Sequence, residues 1–166
     1  MQNYFQKIMV IGCPGSGKST FSRELAARTG LPLHHLDMMY HLPDKTTRPR
    51  EVFDAMLGEV LDTPAWIIDG NYNRTLEMRM EVCDTVIFLD FDPSVCLQGV
   101  QERWGKPRSD MPWVEAGEDA EFLAFVKNFT QQSRPRIMAL LEKYAHKQVY
   151  IFKTRQAAWD FLAQFN

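Results

Sequence analysis

One short glycine-rich run constrains this chain more than any other feature. Residues 12–19 follow the pattern G-x-x-x-x-G-K-S and come directly after the apolar run 8–11, which is typical of a buried strand. A helical pattern begins at Lys18 and closes at Gly30. Glycines in such a loop let the backbone wrap with its N–H groups pointing inward, where they bind phosphate. The sequence therefore predicts a strand, a phosphate-binding loop and a helix in succession.

The residues of this loop are expected to share the work of binding a nucleotide. Lys18 is expected to reach the outer phosphates and the Ser19 hydroxyl to ligate magnesium, while the start of the helix adds its positive dipole end. Cys13 and Pro14 occupy variable positions and are expected only to shape the loop. The alternative is a glycine-rich turn with an incidental lysine, which the flanking strand and helix disfavour. The predicted nucleotide-binding set here is Gly12, Cys13, Pro14, Gly15, Ser16, Gly17, Lys18, Ser19 and Thr20.

Strand and helix patterns alternate along the rest of the chain. Further apolar runs with the length of buried strands occupy residues 33–36, 65–68, 85–89 and 148–152. Five strands separated by helices predict an α/β fold whose parallel sheet is covered on both faces. An N-cap is expected at Asp92-Pro93, and a kink or break at Pro135. With 166 residues, 45% of them hydrophobic, the chain is predicted to form a single domain.

Composition excludes several classes of function. The formal net charge of −2 argues against the broad basic surface of a protein that binds nucleic acid or acidic membranes. No apolar run approaches the roughly 20 residues of a membrane span, and the first residues, MQNYFQKIMVIG, lack a signal-peptide pattern. The expectation is a cytoplasmic protein, a monomer or weak dimer, with no membrane or nucleic-acid partner.

Cysteine and histidine spacing gives no indication of a zinc site. The three cysteines are odd in number, and the four histidines show no spacing such as H-x-x-x-H. The histidines are interpreted as solvated or packed side chains. The residues concerned are Cys13, Cys83, Cys96, His34, His35, His41 and His146.

Four segments in order carry a family resemblance: GCPGSGKST, HLD at 35–37, IIDGNY at 67–72 and VIFLDFDP at 86–93. Together they resemble the adenylate kinase-like nucleoside monophosphate kinases. They are more closely similar to bacterial proteins named as DNA topology modulation or adenylate kinase-related proteins. The resemblance implies a P-loop NTPase fold, a three-layer α/β/α sandwich with five parallel strands in the order 2-3-1-4-5. It also implies an acceptor-binding insertion at 38–64 and a short lid at 104–118, which contains no cysteine and hence no structural zinc.

The resemblance also assigns residues around the donor phosphates. Asp69-Gly70 matches a family step whose carboxylate holds magnesium through water, although Asp-Gly is also a common turn pair. Arg103 matches a lid-arm arginine and Arg108 lies within the lid. Arg134 and Arg136 lie near the expected lid return, and Thr154 near the expected adenine site. For the arginines, the alternative is a solvated charge or a surface ion pair.

On the acceptor side, two residues favour different substrates. Adenylate kinases follow Asp-Gly with Phe-Pro-Arg and use that arginine on the monophosphate, whereas here Arg74 is displaced by one position. Asp37 lies where the related shikimate and gluconate kinases hold or deprotonate an acceptor hydroxyl, although it is also placed to cap a helix or turn. The predicted acceptor-binding set is Asp37, Asp69, Gly70, Arg74, Arg134 and Arg136; the predicted catalytic set is Lys18, Arg103, Arg108 and Asp37.

The combined prediction is an ATP- and Mg²⁺-dependent phosphotransferase that acts on a small acceptor. A nucleoside monophosphate is placed ahead of a hydroxyl acceptor such as a sugar or hydroxy acid. One alternative is a nucleotide-dependent regulator linked to DNA topology, although the sequence contains no helix-turn-helix signature and no basic stripe. The other is an ATP-binding protein with weak hydrolysis and no acceptor.

Overall fold

Five parallel strands form one sheet at the centre of the molecule. The computed structural model describes residues 5–117 and 119–165, so the lid boundary predicted at Glu118 lies outside the described residues. The strands are β1 (Lys7–Gly12), β2 (Leu33–His35), β3 (Trp66–Asp69), β4 (Thr85–Leu89) and β5 (Gln148–Phe152). Their order is β2-β3-β1-β4-β5, and each neighbouring pair is parallel. The predicted sheet and strand order are confirmed.

Helices connect the strands, because parallel neighbours require crossover connections. They are α1 (Lys18–Thr29), α2 (Leu36–Tyr40), α3 (Arg50–Leu61), α4 (Asn73–Val82), α5 (Pro93–Arg103), α6 (Ala120–Gln132), α7 (Arg134–Lys143) and α8 (Arg155–Leu162). With helices on both faces, the central strands β1 and β4 are buried almost throughout. Within the part of the chain that the structure describes, no helix is long and apolar enough to cross a membrane.

The helix boundaries follow local sequence signals. Asp92 caps α5 by accepting a hydrogen bond from the Ser94 N–H at 2.8 Å, and Pro93 occupies the first turn. The break predicted near Pro135 is present, because α6 ends at Gln132 and α7 begins at Arg134. Both predictions are confirmed.

One strand end differs from the sequence prediction. Strand β2 was expected to include Leu36 and to carry Asp37 at its carboxyl end, but it stops at His35, and Leu36 begins α2. The reason lies in the pairing: His35 is opposite Asp69, the last residue of β3, so no ladder partner continues beyond it. Asp37 therefore lies in the first turn of a short helix.

The carboxyl ends of the strands meet at one edge of the sheet. There β1 lies between β3 and β4. The connection leaving β1 leads to β2, whereas the connection leaving β3 leads in the opposite direction along the sheet, to β4. Open parallel sheets bind their ligands outside the carboxyl ends of the strands at such a switch point. The fold therefore places the glycine loop after β1 beside the ends of β2 and β3.

Candidate active site

A cavity of about 1120 Å³ opens at this edge of the sheet. Its walls come from the glycine loop and start of α1, the turn after β3, and the segment 102–117. Asp37, just before the 38–64 insertion, and His41 within it also line the cavity. Pockets for small molecules and cofactors typically have volumes of about 300–1000 Å³. The space is therefore large enough for a nucleotide together with a small second ligand.

The glycine loop packs directly on the backbone of α5. A Cβ atom on Gly15, whose φ is +85°, would lie 2.0 Å from the Cys96 carbonyl oxygen. A Cβ atom on Gly99 would lie 2.1 Å from the Gly15 carbonyl oxygen. Only glycine fits at both positions, so the two backbones touch with no side chain between them. The sequence motif identified Gly15 but gave no role to Gly99, for which a glycine in a helix interior was the available signal.

Asn71 fixes the opposite end of the loop. Its side-chain oxygen accepts from the Gly12 N–H at 3.1 Å, and its amide group donates to the Gly12 carbonyl at 2.6 Å. This pair of hydrogen bonds ties the first residue of the loop to the turn after β3. The loop is thereby anchored on two sides before any ligand binds.

Lys18 extends into the cavity from the first turn of α1. Its ammonium group donates to the Cys13 carbonyl at 3.3 Å, across the loop. Burial lowers the pKa of Lys18, and the negative charges of Asp69 and Asp37 partly oppose this effect. The ammonium thus lines the cavity beside the loop, under the electrostatic influence of two carboxylates.

Two oxygen ligands suitable for magnesium line the same cavity. They are the hydroxyl of Ser19, which accepts from Arg23 at 2.5 Å, and the carboxylate of Asp69. Magnesium prefers such hard oxygen donors, and with nucleotides it takes its remaining ligands from phosphates and water. Among the described residues, no group of three or more His, Cys, Asp or Glu side chains could hold a metal by itself. The donor set fits a magnesium ion that arrives with a nucleotide.

His35 orients the Asp69 carboxylate. The His35 Nδ1 lies 2.7 Å from Asp69 Oδ2, and both side chains are nearly buried. Burial lowers the pKa of His35, but the hydrogen bond to Asp69 and its negative charge outweigh burial, so the pKa is raised overall. From the sequence, His35 was predicted only to be a solvated or packed histidine.

Asp37 faces the cavity and does not cap α2. The cap position belongs to His35, whose side chain makes no capping hydrogen bond, while Asp37 accepts from the Tyr72 hydroxyl at 2.5 Å. The Nε2 atom of His41 lies 4.0 Å from the same carboxylate oxygen. The Asp37 side chain remains 39% exposed, so a ligand in the cavity can reach it.

The two predicted lid arginines share one carboxylate. Arg103 donates to Glu115 at 3.1 Å, and Arg108 donates to the other oxygen of Glu115 at 2.8 Å. Arg108 also contacts Asp110 at 3.3 Å. Burial lowers the pKa of Arg103, and the neighbouring charge of Arg108 adds to that effect. Both arginines line the cavity.

Two of the arginines predicted on the acceptor side are bound elsewhere. Arg74 forms a two-pronged ion pair with Asp54, with distances of 2.7 and 3.0 Å, on the exposed side of the insertion. Arg136 donates to the Asn73 carbonyl at 3.2 Å. Neither is among the described residues that line the cavity.

Arg134 and Thr154 also make contacts outside the cavity. Arg134 holds Asp90 at 2.9 to 3.1 Å, and Lys153 binds the same carboxylate. Thr154 caps α8 by accepting from the Ala157 N–H at 3.1 Å. As far as the described residues show, the cavity lining includes neither Arg134 nor Thr154.

Several residues of the site carried no clear sequence signal. Arg155 lies beside the glycine loop, donating to the Gly15 and Ser16 carbonyls at 3.3 and 3.4 Å. An aromatic residue after a strand, such as Tyr72, is more often a packing residue than a platform for base stacking, and nothing in the sequence assigned a role to Arg79. The available signal for Arg79 was its position on α4, one turn after Leu76 and next to Met80, on the buried face of the helix.

The sheet order, the glycine loop and the helices on both faces define a P-loop NTPase fold. Among solved structures, the chain is similar to shikimate kinase from Bacteroides thetaiotaomicron. The two are 21% identical, with a TM-score of 0.55, and the match covers 95% of this chain and 94% of that one. The chain matches no protein-family model and no curated protein sequence. At this level of identity the likeness establishes the fold alone.

Proposed function

We propose that this protein is an ATP- and Mg²⁺-dependent phosphotransferase that moves the γ-phosphate to a hydroxyl group of a small acceptor. The observation that carries the proposal is the position of Asp37. Its carboxylate lines the same cavity as Lys18, is partly exposed, and accepts a hydrogen bond from the Tyr72 hydroxyl. A hydroxyl acceptor benefits from a base, whereas a monophosphate is already ionised.

The donor half of the site would be built from the glycine loop. Backbone N–H groups of the loop and the Lys18 ammonium bind the phosphates, and the hydroxyl of Ser19 and carboxylate of Asp69 would hold magnesium. When bound, the metal neutralises charge on the phosphates. Phosphoryl transfer needs little covalent help from the protein, so positioning and charge neutralisation supply most of the rate.

In the proposed step, the acceptor oxygen forms a bond to the γ-phosphorus as the bond from that phosphorus to the β,γ-bridging oxygen breaks. The electron pair of the broken bond stays on ADP. The acceptor's hydroxyl proton passes to Asp37, which acts as the general base. Lys18 faces the region where negative charge develops.

The segment 104–117 would act as a lid. Arg103 and Arg108 are neutralised by Glu115 here, and the transferring phosphate would compete with that carboxylate for them. A closed lid also excludes water, which would otherwise accept the phosphate.

A nucleoside monophosphate is the second candidate acceptor, and the cationic wall of the cavity favours it. Arg23, Arg103 and Arg108 all line the space, so an anionic acceptor would find positive charge there. It ranks second because Arg74, Arg134 and Arg136, the arginines predicted on the acceptor side, are bound to other groups.

The test is ADP production from ATP and Mg²⁺ with AMP, CMP, gluconate and shikimate as separate acceptors, for wild type and Asp37→Asn. We expect a hydroxyl acceptor to stimulate turnover, and the variant to lose about 100-fold or more of kcat while still binding ATP. Stimulation by AMP or CMP alone, unaffected by Asp37→Asn, would establish the second candidate. A flat profile with all four would count against a kinase.

A further inference from the structure

Tyr72 adopts a backbone conformation that requires support. Its φ of 37° and ψ of 73° lie in the left-handed region, which costs a residue other than glycine on the order of 1–3 kcal/mol. Such strain persists only where the surroundings fix it, and it clusters at functional sites. The contacts around residues 70–72 must therefore hold this conformation in place.

The buried side chain of Arg79 supplies that support. Its guanidinium donates to the Gly70 carbonyl at 2.9 Å, to the Asn71 carbonyl, and to the Tyr72 carbonyl at 3.4 Å. It also contacts the Thr75 hydroxyl at 3.3 Å. Three successive carbonyl groups of one turn thus converge on a single side chain, which fixes the path of the turn.

The burial of Arg79 is energetically expensive. The residue is fully buried, and among the described residues no carboxylate lies within ion-pair distance of it. Burial lowers its pKa to about 9. A buried cation without a counter-charge costs stability that an apolar side chain of the same shape would not. Its hydrogen bonds all serve the turn after β3 and its junction with α4.

That turn connects the two halves of the cavity. On the donor side, Asn71 holds both backbone groups of Gly12, at 3.1 and 2.6 Å. On the acceptor side, Tyr72 donates its hydroxyl to Asp37 at 2.5 Å. Burial raises the pKa of Tyr72, and the charge of Asp37 raises it further, so the hydroxyl remains a neutral donor.

The Tyr72 ring is also fixed by packing. Its centroid lies 5.4 Å from the rings of both Phe53 and Tyr40. The hydroxyl therefore approaches Asp37 from one direction. Backbone, ring and hydroxyl are each held by different contacts.

We infer that Tyr72 is the positioning residue that orients the Asp37 carboxylate toward the acceptor, and that Arg79 holds Tyr72 in place. This rests on the proposed function, in which Asp37 is the base. Tyr72 acts through Asp37 and not on the phosphate. Its loss should lower kcat without weakening ATP binding.

The experiment is a double-mutant cycle of Tyr72→Phe and Asp37→Asn, measured with the hydroxyl acceptor that most stimulates ADP production among gluconate and shikimate. Tyr72→Phe is expected to lower kcat about 10- to 100-fold and to change the ATP Kd less than about twofold. The double variant should be no slower than Asp37→Asn alone, because both changes remove the same function.

Tyr40→Phe is the matched control. The Tyr40 ring packs in the same aromatic cluster, but its hydroxyl makes no hydrogen bond within the described part of the chain. The Tyr40→Phe variant should retain wild-type kcat. This result would show that the effect of Tyr72→Phe comes from its lost hydrogen bond and not from removal of any hydroxyl in the aromatic cluster. Arg79→Lys, which supplies fewer donors in a different geometry, should lower kcat and not add to Tyr72→Phe.

The outcomes separate the two claims. If Asp37→Asn is impaired but Tyr72→Phe is not, or if their effects multiply, the role of Tyr72 is refuted and the proposed function stands. If the wild type transfers to no hydroxyl acceptor, the proposed function fails, and the role of Tyr72 in it fails as well. A Tyr72→Phe variant that loses ATP affinity in proportion to kcat would indicate a merely structural role. Should Arg79→Lys not fold, the Tyr72 cycle decides alone.

Discussion

Loss of the Lys18 side chain should separate folding from chemistry. Its ammonium group faces the cavity, and the principal protein contact described for it is the Cys13 carbonyl at 3.3 Å. Lys18→Ala should therefore fold normally but lower kcat for phosphate transfer by about 10³-fold or more. Coupled ADP detection and a thermal melt measure the two effects. Lys127→Ala, which removes an exposed lysine from α6, controls for loss of charge alone; wild-type turnover in Lys18→Ala would refute the assigned role.

Single residues show where sequence reasoning succeeds and where it stops. Lys18 and Ser19 were predictable because their roles depend on spacing within one loop. The role of Tyr72 was not predictable, because it depends on Asp37, which lies 35 residues away in the sequence. The two residues come together because β2 pairs with β3. The role of Arg79 could not be predicted for a similar reason: its partners are backbone carbonyls, which have no sequence signature.

Among the elements, α5 is the one that should be most sensitive to an added methyl group. Gly99 touches the Gly15 carbonyl, so Gly99→Ala forces the glycine loop to shift and should destabilise the fold by about 1–3 kcal/mol. ATP binding should weaken with it, since the loop holds the phosphates. Urea denaturation and ATP titration measure the two effects.

A helix glycine without close neighbours provides the comparison for Gly99. Gly58 lies inside α3, and an added Cβ there meets nothing within 4 Å. Gly58→Ala should stabilise the protein by about 0.5–1 kcal/mol, because alanine loses less backbone entropy in a helix. Equal effects of the two substitutions would contradict the packing described for the glycine loop.

Elements were easier to predict than their ends. The alternation of apolar runs and helical patterns was sufficient for the sheet, because a strand buried on both faces has a strong signal. The end of β2 was missed by one residue, since it is set by where β3 stops and not by anything local to Leu36. That one residue changes Asp37 from a strand end to a helical position.

At the scale of the whole molecule, Asp90 connects three elements. It follows β4 and binds Arg134 at the start of α7 and Lys153 just after β5. Burial raises the pKa of this carboxyl, but the hydrogen bonds and charges of Arg134 and Lys153 outweigh burial, so the pKa is lowered overall from 3.8.

The sign of the pH effect follows from that direction. Because the folded pKa is below the unfolded one, Asp90 stabilises the fold fully above pH ~4 and loses this contribution as the pH falls through the folded value. Asp90→Asn should cost about 2 kcal/mol at pH 7, and the difference from wild type should shrink in acid. Urea denaturation at pH 7 and pH 3 measures this, with the exposed Asp62→Asn as control; a difference that grows in acid would contradict the assigned pairing.

The central claim concerns the bond that forms in the proposed reaction, and ³¹P NMR of the reaction products measures that bond directly. With ATP, Mg²⁺ and an equimolar mixture of AMP, gluconate and shikimate, we expect a new phosphomonoester resonance that appears together with ADP. Asp37→Asn should suppress this resonance. Phosphate transferred only into the anhydride of a nucleoside diphosphate, at the same rate in wild type and Asp37→Asn, would contradict transfer to a hydroxyl acceptor with Asp37 as the base.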